Sequence, residues 1–188
     1  MEKVLFGKTL NQLKEVVAEL ELPSFTAGQI ADWLYKKDIS SIDEMTNLSL
    51  KSRQMLKEKN GFGITRPSSE SVSADGTKKY LYPVGKNRFV EAAYIPDKDR
   101  ATLCVSSQVG CRMGCRFCMT ARQGFQSNLS AGEIVNQIRS LPEREQLTNI
   151  VYMGMGEPLD NFQPVMQSLE ILTSEDRKST RLNSSHYS

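Results

Sequence analysis

Three cysteines stand in a C-x3-C-x2-C run, Cys111-Arg-Met-Gly-Cys115-Arg-Phe-Cys118, and a fourth, Cys104, precedes them on an apolar stretch. Thiolates this closely spaced can take three corners of a [4Fe-4S] cube from one loop, without the entropic cost of closing a long one. Because the run supplies only three ligands, one iron is left open to a small molecule, and an open metal position means chemistry rather than scaffolding. Gly110 and Gly114 make the loop pliable. The same residues admit a second arrangement, a structural zinc site with Cys104 as fourth thiolate, although zinc-binding cysteines more usually come as two C-x2-C pairs. Downstream, Gly154-Met-Gly156-Glu157-Pro158 follows another apolar stretch. There the glycines permit close backbone approach to a ligand, or simply a strand-to-helix turn.

Bulk properties leave this chemistry open. With 24 Lys+Arg against 22 Asp+Glu, the net charge of +2 neither demands nor excludes a nucleic-acid partner, so any such footprint would be a local patch. The opening residues lack the apolar core of a secretory signal, and no apolar run reaches membrane-spanning length. No membrane partner and a cytoplasmic location are therefore expected. In a reducing compartment, clustered cysteines read as metal or redox ligands, not as disulfides.

The elements that must position these residues are an α/β set. Leu10, Leu13, Val16, Val17 and Leu20 recur with helical period behind a Thr9-x-x-Gln12 capping box. A second box, Thr26-Ala-Gly-Gln29, with Phe25 and Ile30 as a hydrophobic staple, predicts another helix. Ser41-Ile-Asp-Glu44 and 48–56 predict further short ones. Residues 1–62 thus form a helical module whose Lys36, Lys37, Lys51, Arg53, Lys57 and Lys59 either touch phosphates, as an RNA-binding accessory domain would, or are a solvated face. Around Gly61-Phe-Gly63 and Arg66-Pro67 the pattern changes to alternation. Asp75-Gly76 predicts a two-residue hairpin, and Gly85-Lys-Asn-Arg a second turn, giving a small antiparallel sheet over 68–98. Then strand 103–105, helix 130–141 behind a Ser130-Ala-Gly-Glu133 box, strand 149–153 and helix 162–172 predict βαβα within a core of 99–173. Residues 174–188 read as a non-native, disordered tail, and the lone His186 within it takes no ligand role.

The segments Ala101-Thr-Leu-Cys104-Val-Ser-Ser-Gln-Val-Gly-Cys111, Thr120-Ala-Arg-Gln-Gly124-Phe125 and Met153-Gly-Met-Gly156-Glu157-Pro158-Leu159, together with the cysteine run, resemble the RlmN/Cfr family of radical S-adenosylmethionine (SAM) RNA adenine methyltransferases. The RlmN branch is the closer, and the resemblance runs from the N-terminus to about Thr173. It implies a partial radical SAM barrel of which this chain carries the first βα units, truncated. It also implies a [4Fe-4S] cluster on Cys111, Cys115 and Cys118, with the open iron binding the amino and carboxylate groups of SAM, whose reductive cleavage yields a 5′-deoxyadenosyl radical. Gly156 and Glu157 would contact SAM, Glu91 would be the proton acceptor, and Cys104 the thiol that resolves a methyl-bridged protein-RNA adduct.

The reaction so implied is methylation of C2 of adenosine in 23S rRNA and tRNA, with an electron donor such as flavodoxin. A C8 outcome, or a radical SAM enzyme with another acceptor, shares the same residues. The family's methyl-carrying cysteine belongs near its C-terminus, and no cysteine follows Cys118 here. With that cysteine missing and a parallel sheet left with an open edge, the chain by itself is expected to show no turnover and to be poorly soluble. Arg112, Arg116 and Arg122 either steer anions toward the cysteine loop or balance the charge of what it holds. A zinc-stabilised nucleic-acid module without catalysis, and a non-functional product of truncation, are the alternatives outside the family's chemistry.

Overall fold

The computed structural model describes residues 3–174; the tail predicted over 174–188, with His186, lies beyond them apart from Ser174. The first helices form where their apolar periodicity begins. Helix α1 (Leu10–Glu19) opens with the full Thr9/Gln12 capping box and buries Leu13, Val16 and Val17. Helix α2 (Thr26–Tyr35) departs from expectation at its start, because Phe25 is the cap residue and no side chain caps it. The Thr26 side chain is buried, while backbone bonds from Thr26 to Pro23 and from Ala27 to Ser24 satisfy the first amides instead. Phe25 is largely exposed, so the staple to the buried Ile30 does not form. A single 3-10 turn (Ile42–Glu44) carries the predicted Ser41/Glu44 box, and α3 (Leu50–Lys59) is capped by Ser49.

The strands follow: β1 (Ser69–Val72), β2 (Lys78–Pro83), β3 (Phe89–Asp97) and β4 (Arg100–Cys104). A backbone bond from Ser73 to Thr77 closes the first hairpin over Ala74, Asp75 and Gly76, with Gly76 at φ +84°. The loop is therefore a three-residue one with a left-handed glycine, not the two-residue turn expected from Asp-Gly. Beyond β4 come two elements too short to predict by periodicity, β5 (Gln108–Val109) and β6 (Ser127–Asn128), which pair with each other and enclose the cysteine loop and a single turn, α4 (Met119–Arg122). Helix α5 (Ala131–Arg139), with its Ser130/Glu133 box complete, leads to β7 (Asn149–Val151) and α6 (Phe162–Thr173).

Five strands make one mixed sheet in the order β1-β2-β3-β4-β7. Strand β4 is antiparallel to β3, with Ala93 opposite Cys104, and parallel to β7, with Cys104 opposite Val151. Antiparallel and parallel segments are thus continuous. The expected β-α-β-α order is present, with the β5/β6 hairpin inserted after β4.

Alternation decides which face is covered. Tyr80, Tyr82, Val90, Ala92, Tyr94, Ala101 and Leu103 point one way and pack against Ile134, Ile138, Leu141 and Val165. Helix α5 buries its other side, through Ala131 and Val135, against the N-terminal helices. The layers are therefore sheet, α5 and α6, then helical module. Arg139, only 6% exposed, locks the last joint by donating to the Leu34 and Lys37 carbonyls and to Asp38 at 3.0 Å. Replacing Arg139 by Met would leave those carbonyls unpaired, and a loss of about 2 to 3 kcal/mol is expected from urea denaturation. An unchanged midpoint would mean that the joint carries no net stability.

Candidate active site

The open face of the sheet is where the candidate residues meet. Since Glu91, Ala93 and Ile95 alternate with the buried Val90, Ala92 and Tyr94, their side chains stand opposite the helices. Cys104 faces Ala93 across the ladder, so Cys104 and Glu91 share that face, two positions apart along β3. Glu91 is exposed and paired with Lys79 at 3.1 Å. Its backbone carbonyl accepts from Ser106 Oγ at 2.6 Å, and that hydroxyl accepts from the Met155 amide at 2.8 Å. Ser106 therefore joins the three pieces that sequence reading had singled out separately: β3, the stretch after β4, and the glycine turn.

Cys104 is half-buried. Burial pushes its thiol up from the ordinary cysteine range, against the opposing pull of the Met153 backbone amide. Past β4 and β7 the two chains keep bonding irregularly, from Val105 to Val151, Gly154 to Val105 and Ser107 to Met155. This holds Gly154-Met-Gly156-Glu157 against the carboxyl end of β4, the end at which ligands bind in parallel α/β folds. Gly156 has φ +95°, and a Cβ there would lie 2.5 Å from Gln108 Cβ, so both conformation and space require glycine. The half-buried Glu157 caps its own turn by accepting from the Leu159 amide at 3.2 Å.

The cysteine loop leaves the same end. Gly110, at φ +72°, is packed so that a Cβ would fall 1.7 Å from the Gly124 carbonyl oxygen; the loop's entry and exit thus touch backbone to backbone. Between them Cys115 is exposed, and Cys111 and Cys118 are half-buried; all three, like Cys104, are free thiols. Cys118 lies at the start of α4, where the Ala121 and Thr120 amides hold its thiol below the usual range. Among the described residues, no three His, Cys, Asp or Glu groups converge closely enough to hold a metal ion. The donor chemistry nevertheless fits an iron-sulfur cluster: soft thiols, one of them biased toward thiolate, on a stretch with no strand or helix pairing between Gly110 and Cys118. Arg112, Arg116 and Arg122 are all exposed, and Arg112 reaches from this loop to Asp160 at 2.9 Å and lies over the Phe125 ring.

Sequence reading missed the residues that support the site. Ser106, Ser107 and Gln108 are fully or almost fully buried although polar, as are Gln137 and Asn161. Gln137 exchanges two hydrogen bonds with the Ser106 backbone, at 2.8 and 2.9 Å, and Asn161 donates to the Ser107 and Leu129 carbonyls. The only hint available beforehand was a polar Ser-Ser-Gln run directly after an apolar strand. The basic face of the helical module is partly engaged with itself: Lys36 pairs with Asp32, Lys37 covers Trp33, and Arg53 and Lys57 both bind Asp43. Among the described residues no helix is long and apolar enough to cross a membrane.

Comparison with known proteins agrees in both halves of the chain. Residues 4–60 match the family described as ribosomal RNA large subunit methyltransferase N-terminal domain, and residues 105–187 match the radical SAM superfamily. A probable dual-specificity RNA methyltransferase RlmN of Bacteroides thetaiotaomicron is 60% identical over 169 residues, covering 90% of this chain and 49% of the relative. The dual-specificity RNA methyltransferase RlmN of Geotalea uraniireducens is 45% identical over 177 residues, with 94% and 52% covered. The chain thus spans about half the length of the curated relatives it matches. A crystal structure of a radical SAM methyltransferase from Sphaerobacter thermophilus superposes with a TM-score of 0.84 at 37% identity, covering 93% of this chain and 53% of that one. With the helical module and the cysteine-bearing core both matched, and in this order, the chain is similar, from one end of its described residues to the other, to the first half of the RlmN-type radical SAM methyltransferases.

Proposed function

We propose that this chain contributes the cluster-bearing half of a SAM-dependent RNA methyltransferase that acts on C2 of adenosine in 23S rRNA and tRNA in the cytoplasm. The observation that carries the reading is the shared open face: Glu91 and Cys104 stand on it together, and the cysteine loop and the glycine turn both leave from its edge. In this reading Cys111, Cys115 and Cys118 hold a [4Fe-4S] cluster. When bound, the cluster supplies the electron that opens the SAM sulfonium, drawn from a donor such as flavodoxin. Gly156 and Glu157 line the SAM site, Gly156 by seating the turn against Gln108 and Glu157 by accepting from the SAM ammonium group.

The remaining work falls to side chains. Glu91 is the base that removes the adenine ring proton, and Lys79, paired with it at 3.1 Å, lies beside it on the open face. Cys104 is the thiol that resolves the protein-RNA adduct. Its burial suits a group kept protonated until called upon, because only the thiolate attacks. RNA recognition of this kind favours unstacked bases in loops, whose edges can enter a recess beside a sheet. The helical module extends the surface available to the RNA backbone.

Two measurements test this reading. Anaerobic reconstitution with iron and sulfide is expected to give a reduced four-iron signal in electron paramagnetic resonance that changes when SAM is added. Alanine at Cys111, Cys115 or Cys118 abolishes the signal, while Cys104→Ala leaves it intact. Loss of metal from Cys104→Ala, or colourless protein holding zinc, would return the four cysteines to a structural role. The second is alkylation of Cys104 by iodoacetamide as a function of pH, followed by peptide mass analysis. With its thiol pKa raised by burial, half-maximal rate in the folded protein is expected at higher pH than in urea; equal midpoints would remove the argument for a protected thiol.

A further inference from the structure

Gln108 is wholly buried, yet its amide is fully used. Its Oε1 accepts from the Glu157 amide at 2.9 Å, and its Nε2 donates to Asn128 Oδ1 and to Asp160 Oδ2, each at 2.8 Å. Asp160 Oδ2 also takes Arg112 Nε at 2.9 Å. Arg112 lies between Cys111 and Cys115, and Glu157 ends the glycine turn, so one carboxylate and one carboxamide span the gap between the two loops. Gly156 is pressed against the same Gln108, whose Cβ and Cγ leave no room for a side chain there.

We infer that Gln108 and Asp160 form a brace that sets the separation of the cysteine loop from the Gly-Met-Gly-Glu turn, which makes them positioning residues for SAM held between the two. The inference rests on the cluster and SAM sites proposed above. Its physical basis is directional. Each bond in the chain from Arg112 through Asp160 and Gln108 to the Glu157 amide has a fixed donor and acceptor, and the Arg112 end is charge-assisted. A buried amide that served packing alone would not transmit a change at Arg112 to residue 157, which Arg112 does not contact through any of these bonds.

The test compares Asp160→Ala, Asp160→Asn and Arg112→Gln with the unaltered chain, because Asp160 and Arg112 are partly exposed and their replacement spares the core. Amide hydrogen exchange of the metal-free chain is read at Glu157. Asp160→Ala is expected to accelerate it about tenfold, Arg112→Gln by less, and Asp160→Asn least, since the carboxamide keeps an acceptor for Gln108. After anaerobic reconstitution, iron content stays at the unaltered level, while the SAM concentration that half-converts the paramagnetic signal rises about tenfold in Asp160→Ala and is largely rescued in Asp160→Asn.

Exchange at Glu157 that ignores both the Asp160 and Arg112 replacements overturns the brace, as does a SAM response that follows iron loss rather than the replacement itself. A reconstituted unaltered chain whose signal ignores SAM overturns the proposed function, and the positioning role with it. That result is distinguishable because it appears before any substitution is made.

Discussion

Strand β4 hydrogen-bonds to β3 on one side and β7 on the other, antiparallel to the first and parallel to the second, and the position of each candidate residue follows from that pairing. Parallel alignment with β7 puts the carboxyl ends of both strands at one edge, so the cysteine loop and the glycine turn leave side by side. Antiparallel alignment with β3 sends Glu91 back to the same edge. The side-chain period of two then aims Glu91 and Cys104 at one face. A shift of either register by one residue would turn one of them into the helical core, and the tyrosines and aliphatic residues buried on that side make such a shift costly.

Covering only one face of the sheet is what leaves Glu91 and Cys104 together on the uncovered one. Helix α5 is buried on nearly all sides, with apolar residues toward the sheet and toward the N-terminal helices, and Gln137 and Arg139 reaching out of it to satisfy backbone groups at the site and at the module joint. The helical module is therefore a third layer fastened to the back of the sheet. It steadies the site through α5 without occupying the open face.

Behind the edge from which the cysteine loop and the glycine turn leave lies a polar interior that an apolar core could not replace. Ser106, Gln108, Gln137 and Asn161 pair with backbone groups that the irregular chain past β4 and β7 leaves unmatched by any ladder. Unpaired, those buried groups would each cost on the order of 1 to 3 kcal/mol. Paired, they give a loop edge the rigidity of regular structure. The cysteine segment, by contrast, is held by backbone contact at Gly110 and Gly124 and by Arg112, leaving its thiols on a pliable stretch.

Local rules in the sequence determined the helices and the family resemblance. Capping boxes at Thr9, Ser41 and Ser130 formed as read, because each needs only residues three apart. The cysteine spacing and its neighbouring words announced the family for the same reason. Where a local pattern competed with burial it failed, as at Thr26, whose side chain turned inward and left the cap to backbone bonds. The two-residue strands β5 and β6 carried no periodicity to read. Only the tertiary structure could bring Glu91 beside Ser106, set Cys104 on the same face, and link Arg112 through Asp160 and Gln108 to Glu157. These contacts join residues 15 to 52 positions apart, and they exist because strand register and buried hydrogen-bond satisfaction are properties of the assembled sheet, not of any one segment.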